Sequence, residues 1–150
     1  MFGVVPPGRL SRSLPQGVPM MTQNPQTPLT VLVVDDFADS RFLLRRMLET
    51  RDCRVIEAAD GREAFEAARR HCPDLVLMDL NMPRADGLAA TRLIRECEGA
   101  CRDVLIIAVT AFDTYGMREA AIEAGCDDYI AKPFDAGGLE RVLRRCVMRW

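Results

Sequence analysis

The sequence predicts a three-layer α/β protein, a doubly wound (βα)5 sandwich in which helices cover both faces of a parallel five-stranded sheet. Strand-like and helix-like segments alternate along the chain from Leu29 onward. The strand-like segments are apolar at consecutive positions, which is typical of strands buried on both faces and therefore of a parallel sheet. Right-handed crossovers then place helices on the two faces. A chain of 150 residues, 49% of them hydrophobic, is the size of one domain with one sizeable core.

Five strand–helix pairs follow one another after residue 28. The strands are predicted at residues 30–34, 54–57, 74–79, 103–109 and 129–131. The helices are predicted at residues 38–50, 61–70, 87–98, 114–124 and 139–150. Asp60 is placed to cap the second helix, and Gly125 to end the fourth. Because glycine costs about 1 kcal/mol relative to alanine inside a helix, Gly116 predicts that the fourth helix starts late or frays, and Gly137 and Gly138 weaken the start of the fifth.

Residues 1–28 differ in composition from the rest of the chain. They hold six of the nine prolines, three glycines and no acidic residue. Proline at this density opposes both helix and sheet, and no periodic apolar pattern offers a face to bury. We therefore expect a disordered proline-rich tail ahead of a domain at residues 29–150, with Met1, Met20 and Met21 as alternative translation starts. The tail has no apolar h-region, so it does not fit a signal peptide.

Charge and cysteine content exclude several classes of function. The formal net charge of −2 leaves no basic surplus, so we expect no direct nucleic-acid binding. No apolar run approaches the ~20 residues that span a bilayer, so no membrane insertion is expected. The six cysteines form no Cys-x-x-Cys pair and only one histidine accompanies them, which argues against a zinc centre. We interpret them as buried or partly buried free thiols of a cytoplasmic protein; Cys97 and Cys101 are four residues apart and would share one face of any helix that contains both.

Chemically distinctive residues stand at the ends of four predicted strands. Asp35 and Asp36 follow the first strand, Asp79 ends the third, Thr110 follows the fourth and Lys132 follows the fifth. Singly, each fits a plain structural role such as a turn, a helix cap or a strand end. In a doubly wound sheet a site forms beyond the carboxyl ends of the strands, so these side chains are expected to converge. Lys132 is the only lysine among twenty basic residues, which indicates a position where a compact ammonium is required.

The three carboxylates predict a divalent metal site. Clustered carboxylates repel one another, and a hard cation removes the repulsion. Mg²⁺ prefers oxygen ligands and typically takes one or two carboxylates together with water and phosphate oxygens, and Mn²⁺ is the alternative ion. We expect Asp36 and Asp79 to bind the ion directly and Asp35 to bind it through water. The main-chain carbonyl of Asn81 is expected to complete the protein ligands.

The same cluster suits phosphoryl transfer to a carboxylate. Asp79 is expected to be ionised at neutral pH, so it needs no base to act as the nucleophile. The reaction requires neutralisation of charge on the three equatorial oxygens of the phosphoryl group. Mg²⁺, the Lys132 ammonium and the Thr110 hydroxyl are expected to hold one oxygen each. Catalysis would then consist of positioning and electrostatic stabilisation.

These residues resemble the receiver domain of two-component response regulators, the CheY-like family. The resemblance covers residues 29–150 and rests on five stretches: Val33-Val-Asp-Asp36, Leu77-Met-Asp-Leu-Asn-Met-Pro83, Asp86-Gly87, Val109-Thr-Ala111 and Asp128-Tyr-Ile-Ala-Lys-Pro-Phe134. It implies a flavodoxin-like strand order of 2-1-3-4-5 and a cis peptide bond between Lys132 and Pro133. It also implies that Asp79 accepts a phosphoryl group from a sensor histidine kinase or a histidine phosphotransfer protein.

The resemblance further implies a signalling role without a classical enzyme activity. Tyr129 matches the family's switch aromatic, whose ring turns inward when Thr110 moves toward the phosphoryl group. The surface of the fourth helix, fifth strand and fifth helix then changes and regulates a downstream partner protein. Such a receiver catalyses only its own phosphorylation and dephosphorylation. Dimerisation through the same surface is an alternative use of it.

Ala111, Phe112 and Pro133 are expected to support the site. Phe112 is bulky and apolar where many receivers carry a polar group. Our hypothesis is that Phe112, together with Asn81, limits the access of the hydrolytic water and lengthens the life of the acyl phosphate.

Two other functions are alternatives to a phosphoacceptor. A haloacid-dehalogenase-type aspartyl-phosphate phosphatase carries its nucleophile and an acid two residues apart after the first strand, whereas here the best nucleophile follows the third. A receiver that only binds partners would lack one of the required residues, and none is missing from this sequence. A dinucleotide-binding module is excluded because no Gly-x-Gly-x-x-Gly follows the first strand.

Overall fold

The computed structural model describes residues 27–111 and 116–148, and within them the chain forms a parallel sheet covered by helices. The strands are β1 (Thr30–Val34), β2 (Arg54–Ala58), β3 (Leu75–Asp79), β4 (Leu105–Thr110) and β5 (Asp128–Ala131). The helices are α1 (Ala38–Glu49), α2 (Gly61–His71), α3 (Asp86–Arg95), α4 (Met117–Ala124) and α5 (Ala136–Met148). All neighbouring strands are parallel, in the order β2-β1-β3-β4-β5, which confirms the predicted fold class and strand order.

The apolar strands are buried on both faces of the sheet. β3 and β4 are buried along their full lengths, and β1 is buried at every position after Thr30. Val31 and Val33 pack with residues of α1 and α5, whereas Leu32 and Val34 pack with residues of α2, α3 and α4. Because β1, β3 and β4 lie inside the sheet, the ends of these strands are the ones that can build a sheltered site.

Local sequence determines where the helices begin and end. The Asp60 carboxylate caps α2 by accepting a hydrogen bond from the Glu63 amide (2.8 Å), and the Glu63 carboxylate accepts one from the Ala59 amide just before the cap (2.7 Å). Gly125 ends α4 with φ of 117°, a left-handed conformation that glycine adopts without a steric penalty. Gly116 has φ of 86°, and α4 begins one residue after it, which confirms the late start that this glycine predicted.

Two expected boundaries around the third helix are wrong. α3 ends at Arg95, three residues early, and β4 begins two residues later than expected. The chain between them contains a 3₁₀ helix at Ala100–Asp103, which follows Gly99 with φ of 92°. Glycine adopts such a positive φ without the steric cost that other residues have. No helix within residues 27–111 contains both Cys97 and Cys101, so these residues do not share a helix face.

Two expectations from composition are tested by the described residues. All six cysteines are free, and all but Cys72 are buried, so the expectation of buried or partly buried thiols holds for five of them. No helix within residues 27–111 and 116–148 is long and apolar enough to cross a membrane. The proline-rich segment at residues 1–28 lies outside the described residues except for Thr27 and Pro28.

Candidate functional site

The carboxyl ends of β1, β3, β4 and β5 lie at one edge of the sheet and carry the distinctive residues. Asp35 follows β1, Asp79 ends β3, Thr110 ends β4 and Lys132 follows β5. Asp35, Asp79 and Thr110 are 2%, 3% and 0% exposed, which is unusual for polar side chains, whereas Asp36 is exposed at the rim. The structure therefore brings together the strand-end residues that the sequence singled out.

Three carboxylates converge at this edge. Asp35, Asp36 and Asp79 each offer a carboxylate oxygen, and these oxygens lie within 4.8 Å of one another. Burial raises the pKa of Asp79 from 3.8 to about 6. The main-chain amide of Asn81 opposes this rise, and the Asp35 carboxylate adds to it. The Lys132 ammonium also opposes the rise. A hard divalent cation would neutralise the remaining negative charge, and carboxylate oxygens are the donors that Mg²⁺ prefers. The residues present therefore fit a magnesium ion.

The Lys132 ammonium enters the carboxylate cluster. Its Nζ atom lies 2.8 Å from Asp35 Oδ2 and 3.8 Å from Asp79 Oδ2. The Lys132 amide donates to the Thr110 carbonyl (2.6 Å), which fixes the main chain of this residue beside β4. The Lys132–Pro133 peptide bond is cis, as predicted. The lone lysine of the sequence thus lies where its charge faces the buried acids.

Asp35 is held by hydrogen bonds to both its side chain and its main chain. Its Oδ1 accepts from the Phe37 amide at the start of α1 (2.9 Å), and its carbonyl accepts from the Arg41 guanidinium (2.8 Å). Arg41 also donates to Glu57 at the end of β2 (3.0 Å). Sequence reasoning missed Arg41, because an arginine on a helix face is most simply read as solvated. Arg41 positions the main chain of the site from α1.

The Asn81 side chain links the ends of β3 and β4. Its Oδ1 accepts hydrogen bonds from the Thr110 hydroxyl (2.9 Å) and from the Ala111 amide (2.5 Å). The main-chain N–H of Asn81 in turn donates to Asp79 Oδ1 (2.8 Å). Sequence reasoning considered the main-chain carbonyl of Asn81 and water access, and it missed these side-chain contacts. No local signal indicates them, since Asn81 and Thr110 are 29 residues apart in sequence and meet only through the packing of β3 beside β4.

The start of α3 lies directly behind the main chain of Asp79. A Cβ atom at Gly87 would lie 2.5 Å from the Asp79 carbonyl oxygen, closer than real Cβ atoms come to other atoms. Only glycine therefore allows this approach, which explains the Asp86-Gly87 pair in physical terms. The start of the helix therefore packs directly against the main chain at the end of β3.

The remaining candidates lie around this cluster or outside the described residues. Tyr129 is half-buried, it packs against the core layer of α2, α3 and α4, and the Arg118 guanidinium lies 5.9 Å from its ring centroid. Pro133 is exposed beside Lys132. Phe112 lies outside the described residues.

The sequence matches proteins of one family. A family model described as the response regulator receiver domain matches residues 31–144. The response regulator MprA of Mycolicibacterium vanbaalenii is 42% identical over 118 residues, which cover 79% of this chain and 48% of MprA. The polar-differentiation response regulator DivK of Brucella anthropi is 37% identical over 106 residues, which cover 71% of this chain and 85% of DivK. The chain thus spans about half the length of MprA and most of DivK.

Solved structures with this fold include isolated receiver domains. The receiver domain of a sensor histidine kinase from Pseudomonas aeruginosa, with a magnesium ion coordinated in its active site cleft, has a TM-score of 0.74 and 40% identity and covers 80% of this chain and 98% of that chain. The chemotaxis protein CheY4 of Vibrio cholerae has a TM-score of 0.73 and 27% identity and covers 79% of this chain and 98% of that chain. Both agree with the fold described above.

Proposed function

The chain belongs to the family of response regulator receiver domains, the signalling modules of two-component systems, and we propose that it is a switch that accepts a phosphoryl group on Asp79. One observation carries this proposal: the Lys132 ammonium lies 2.8 Å from Asp35 and 3.8 Å from Asp79, facing two buried carboxylates. An ammonium in that position neutralises charge where a phosphoryl group on Asp79 would bring it.

Asp79 supplies the nucleophile in this proposal. One of its carboxylate oxygens attacks the phosphorus of a phosphohistidine on a sensor histidine kinase or a histidine phosphotransfer protein. A P–O bond forms, the P–N bond breaks, and the imidazole leaves with the electron pair. A pKa of about 6 leaves most of Asp79 ionised at neutral pH, so no general base is required. The reaction is the protein's own modification, and no turnover of a separate substrate is proposed.

The groups around Asp79 divide the work of charge neutralisation. When bound, Mg²⁺ supplies positive charge to the phosphoryl oxygens, and the magnesium ion in the related receiver domain supports this choice of metal. Asp35, Asp36, Asp79 and the Asn81 main-chain carbonyl would hold it, with Mn²⁺ as an alternative ion. Lys132 then binds a second oxygen, and the Thr110 hydroxyl donates to a third.

The proposed output is a change at the surface formed by α4, β5 and α5. Thr110 would move toward the phosphoryl group, and Tyr129 would turn into the space that this movement opens. The half-buried position of Tyr129 beside Arg118 supports a ring with two accessible environments. We propose that this surface binds an unknown downstream protein, with dimerisation as the alternative use of it.

A phosphodonor protein must cover the rim of the site. The exposed side chains beside Asp36 include Phe37, and α1 also exposes Phe42 and Leu43. Exposed aromatic side chains next to a reactive carboxylate favour a protein partner over a free small molecule. A reducing cytoplasm is the compartment we propose, because all six cysteines are free.

The proposal is tested by intact-mass measurement after incubation with a small phosphodonor such as acetyl phosphate and Mg²⁺. We expect one added phosphoryl group, which Asp79→Asn or chelation of the metal abolishes. Asp52→Asn is the matched control, because Asp52 is exposed and lies in the turn before β2, at the opposite edge of the sheet. Modification that persists in Asp79→Asn would contradict the assignment of the acceptor.

A further inference from the structure

Two hydrogen-bond donors at the end of β4 converge on a single oxygen atom. The Thr110 hydroxyl and the Ala111 amide donate to Asn81 Oδ1 at 2.9 Å and 2.5 Å. A main-chain N–H can only donate, so the amide atom that it meets must be the oxygen, and this fixes the orientation of the Asn81 side chain. An adjacent O–H and N–H that meet at one point form an arrangement suited to an anionic oxygen.

This point of convergence lies next to the proposed phosphoacceptor. Asn81 is two residues from Asp79, and its own amide donates to Asp79 Oδ1 at 2.8 Å. We propose that the Asn81 side chain is an internal substitute for a phosphoryl oxygen. In the unphosphorylated protein its Oδ1 occupies the Thr110 and Ala111 donors, and a phosphoryl group on Asp79 displaces it. This inference rests on the proposed function, because it requires Asp79 to accept the group.

The different exposure of Thr110 and Asn81 favours replacement of the Asn81 side chain by a phosphoryl oxygen. Thr110 is fully buried, and this hydrogen bond ties its hydroxyl to the chain that follows β3. Asn81 is exposed, so its amide is hydrated once the side chain swings away. The exchange replaces a neutral acceptor by a charged one, which forms stronger hydrogen bonds with the same donors. Asn81 therefore holds Thr110 in the resting position until a better acceptor arrives.

The test measures binding of beryllium trifluoride, a mimic of the phosphoryl group, in the presence of Mg²⁺. We expect Asn81→Ala to bind it at least about fivefold more tightly than wild type by calorimetry, since each of the two competing hydrogen bonds to Asn81 Oδ1 is worth about 1 kcal/mol. Hydrogen exchange of the Ala111 amide should be faster in the free variant than in free wild type, and equal in the two complexes. Affinity for Mg²⁺ alone should stay within about twofold, because Asn81→Ala keeps the main-chain carbonyl.

Thr110→Val provides the second background for the same measurement. If Asn81 acts through the Thr110 hydroxyl, the gain from Asn81→Ala shrinks in Thr110→Val. A gain of unchanged size in that background, an equal gain in affinity for Mg²⁺ alone, or binding by Asn81→Ala that is no tighter than wild type would each overturn the inference. A wild-type protein that does not bind beryllium trifluoride, or binding that survives Asp79→Asn, would instead overturn the proposed function.

Discussion

Replacing Asp79 by asparagine should stabilise the metal-free protein, and the gain should grow with pH. Burial raises the pKa of Asp79 from 3.8 to about 6, so the folded protein binds this proton more tightly than the unfolded chain does. A carboxyl with a raised pKa contributes its full stability below about pH 4 and loses that contribution as the pH rises through about 6. At 1.36 kcal/mol per pKa unit, the rise corresponds to about 3 kcal/mol of folding free energy that is lost by pH 8.

Urea unfolding in the presence of EDTA from about pH 4 to about pH 8 measures this pH-dependent loss of folding free energy. The difference in unfolding free energy between Asp79→Asn and wild type should grow by about 3 kcal/mol over this range. A pH-independent cost of the amide cancels in that growth, and so do the titrating groups that do not interact with Asp79. A difference that stays flat with pH would refute the reasoning. Saturating Mg²⁺ should shrink the difference at high pH, because an ion that binds the folded acids stabilises wild type.

The control for this measurement is Asp52→Asn. Asp52 is exposed and has φ of 60°, a conformation that asparagine tolerates well, so the substitution should leave no strain. Its unfolding free energy relative to wild type should not grow between pH 4 and pH 8 in the way expected for Asp79→Asn.

Three further outcomes follow from the packing. Gly87→Ala should destabilise the protein by about 1–3 kcal/mol in urea unfolding, because the alanine Cβ would meet the Asp79 carbonyl oxygen. Gly137→Ala, at an open position of α5, should instead stabilise the protein by up to about 1 kcal/mol. Arg95→Ala should cost about 2–4 kcal/mol in urea unfolding, because the guanidinium donates to the Gly125 and Val104 carbonyls and to Asp127, and exposed Arg92→Ala should cost almost nothing. Alkylation of the native protein at pH 8, followed by mass spectrometry, should label only exposed Cys72 rapidly. Burial raises the pKa of Cys53 and of Cys126 to about 11 and that of Cys101 to about 12, which keeps these thiols unreactive. In urea all six thiols should become reactive.

Much of the fold was predictable because its strongest signals are local. β1 and β4 are apolar at consecutive positions, and burial on both faces is the usual reason for such a run. Gly116 predicted the late start of α4 because glycine is costly inside a helix, and the structure places it just before α4 with φ of 86°. The end of α3 was missed for a different reason. Apolar residues continue past Arg95 in the sequence, whereas in the structure the Arg95 guanidinium donates to the Val104 carbonyl just before β4, a tertiary contact that no local pattern indicates.

The candidate site was predictable as a set of residues and not as a network. Parallel topology alone brings strand ends together, so Asp35, Asp79, Thr110 and Lys132 could be named from their places in the sequence. Which partner each side chain takes depends on distances of a few ångströms between loops. The contact of Asn81 with Thr110 belongs to this second kind. So does the Arg41 hydrogen bond to the Asp35 carbonyl.

The charge count of the site explains why phosphorylation would rearrange it. Asp35, Asp36 and Asp79 carry three negative charges against the single ammonium of Lys132, so the metal-free cluster holds a net charge of −2 when all are ionised. A divalent cation brings that sum to zero. An acyl phosphate in place of the Asp79 carboxylate then adds about one negative charge. In the unphosphorylated structure the Lys132 ammonium is closer to Asp35 (2.8 Å) than to Asp79 (3.8 Å). Turning toward the phosphoryl oxygens would give it a stronger electrostatic attraction. The same added charge makes a phosphoryl oxygen a better acceptor for Thr110 and Ala111 than the neutral Asn81 Oδ1, so one local change in charge exchanges both sets of contacts.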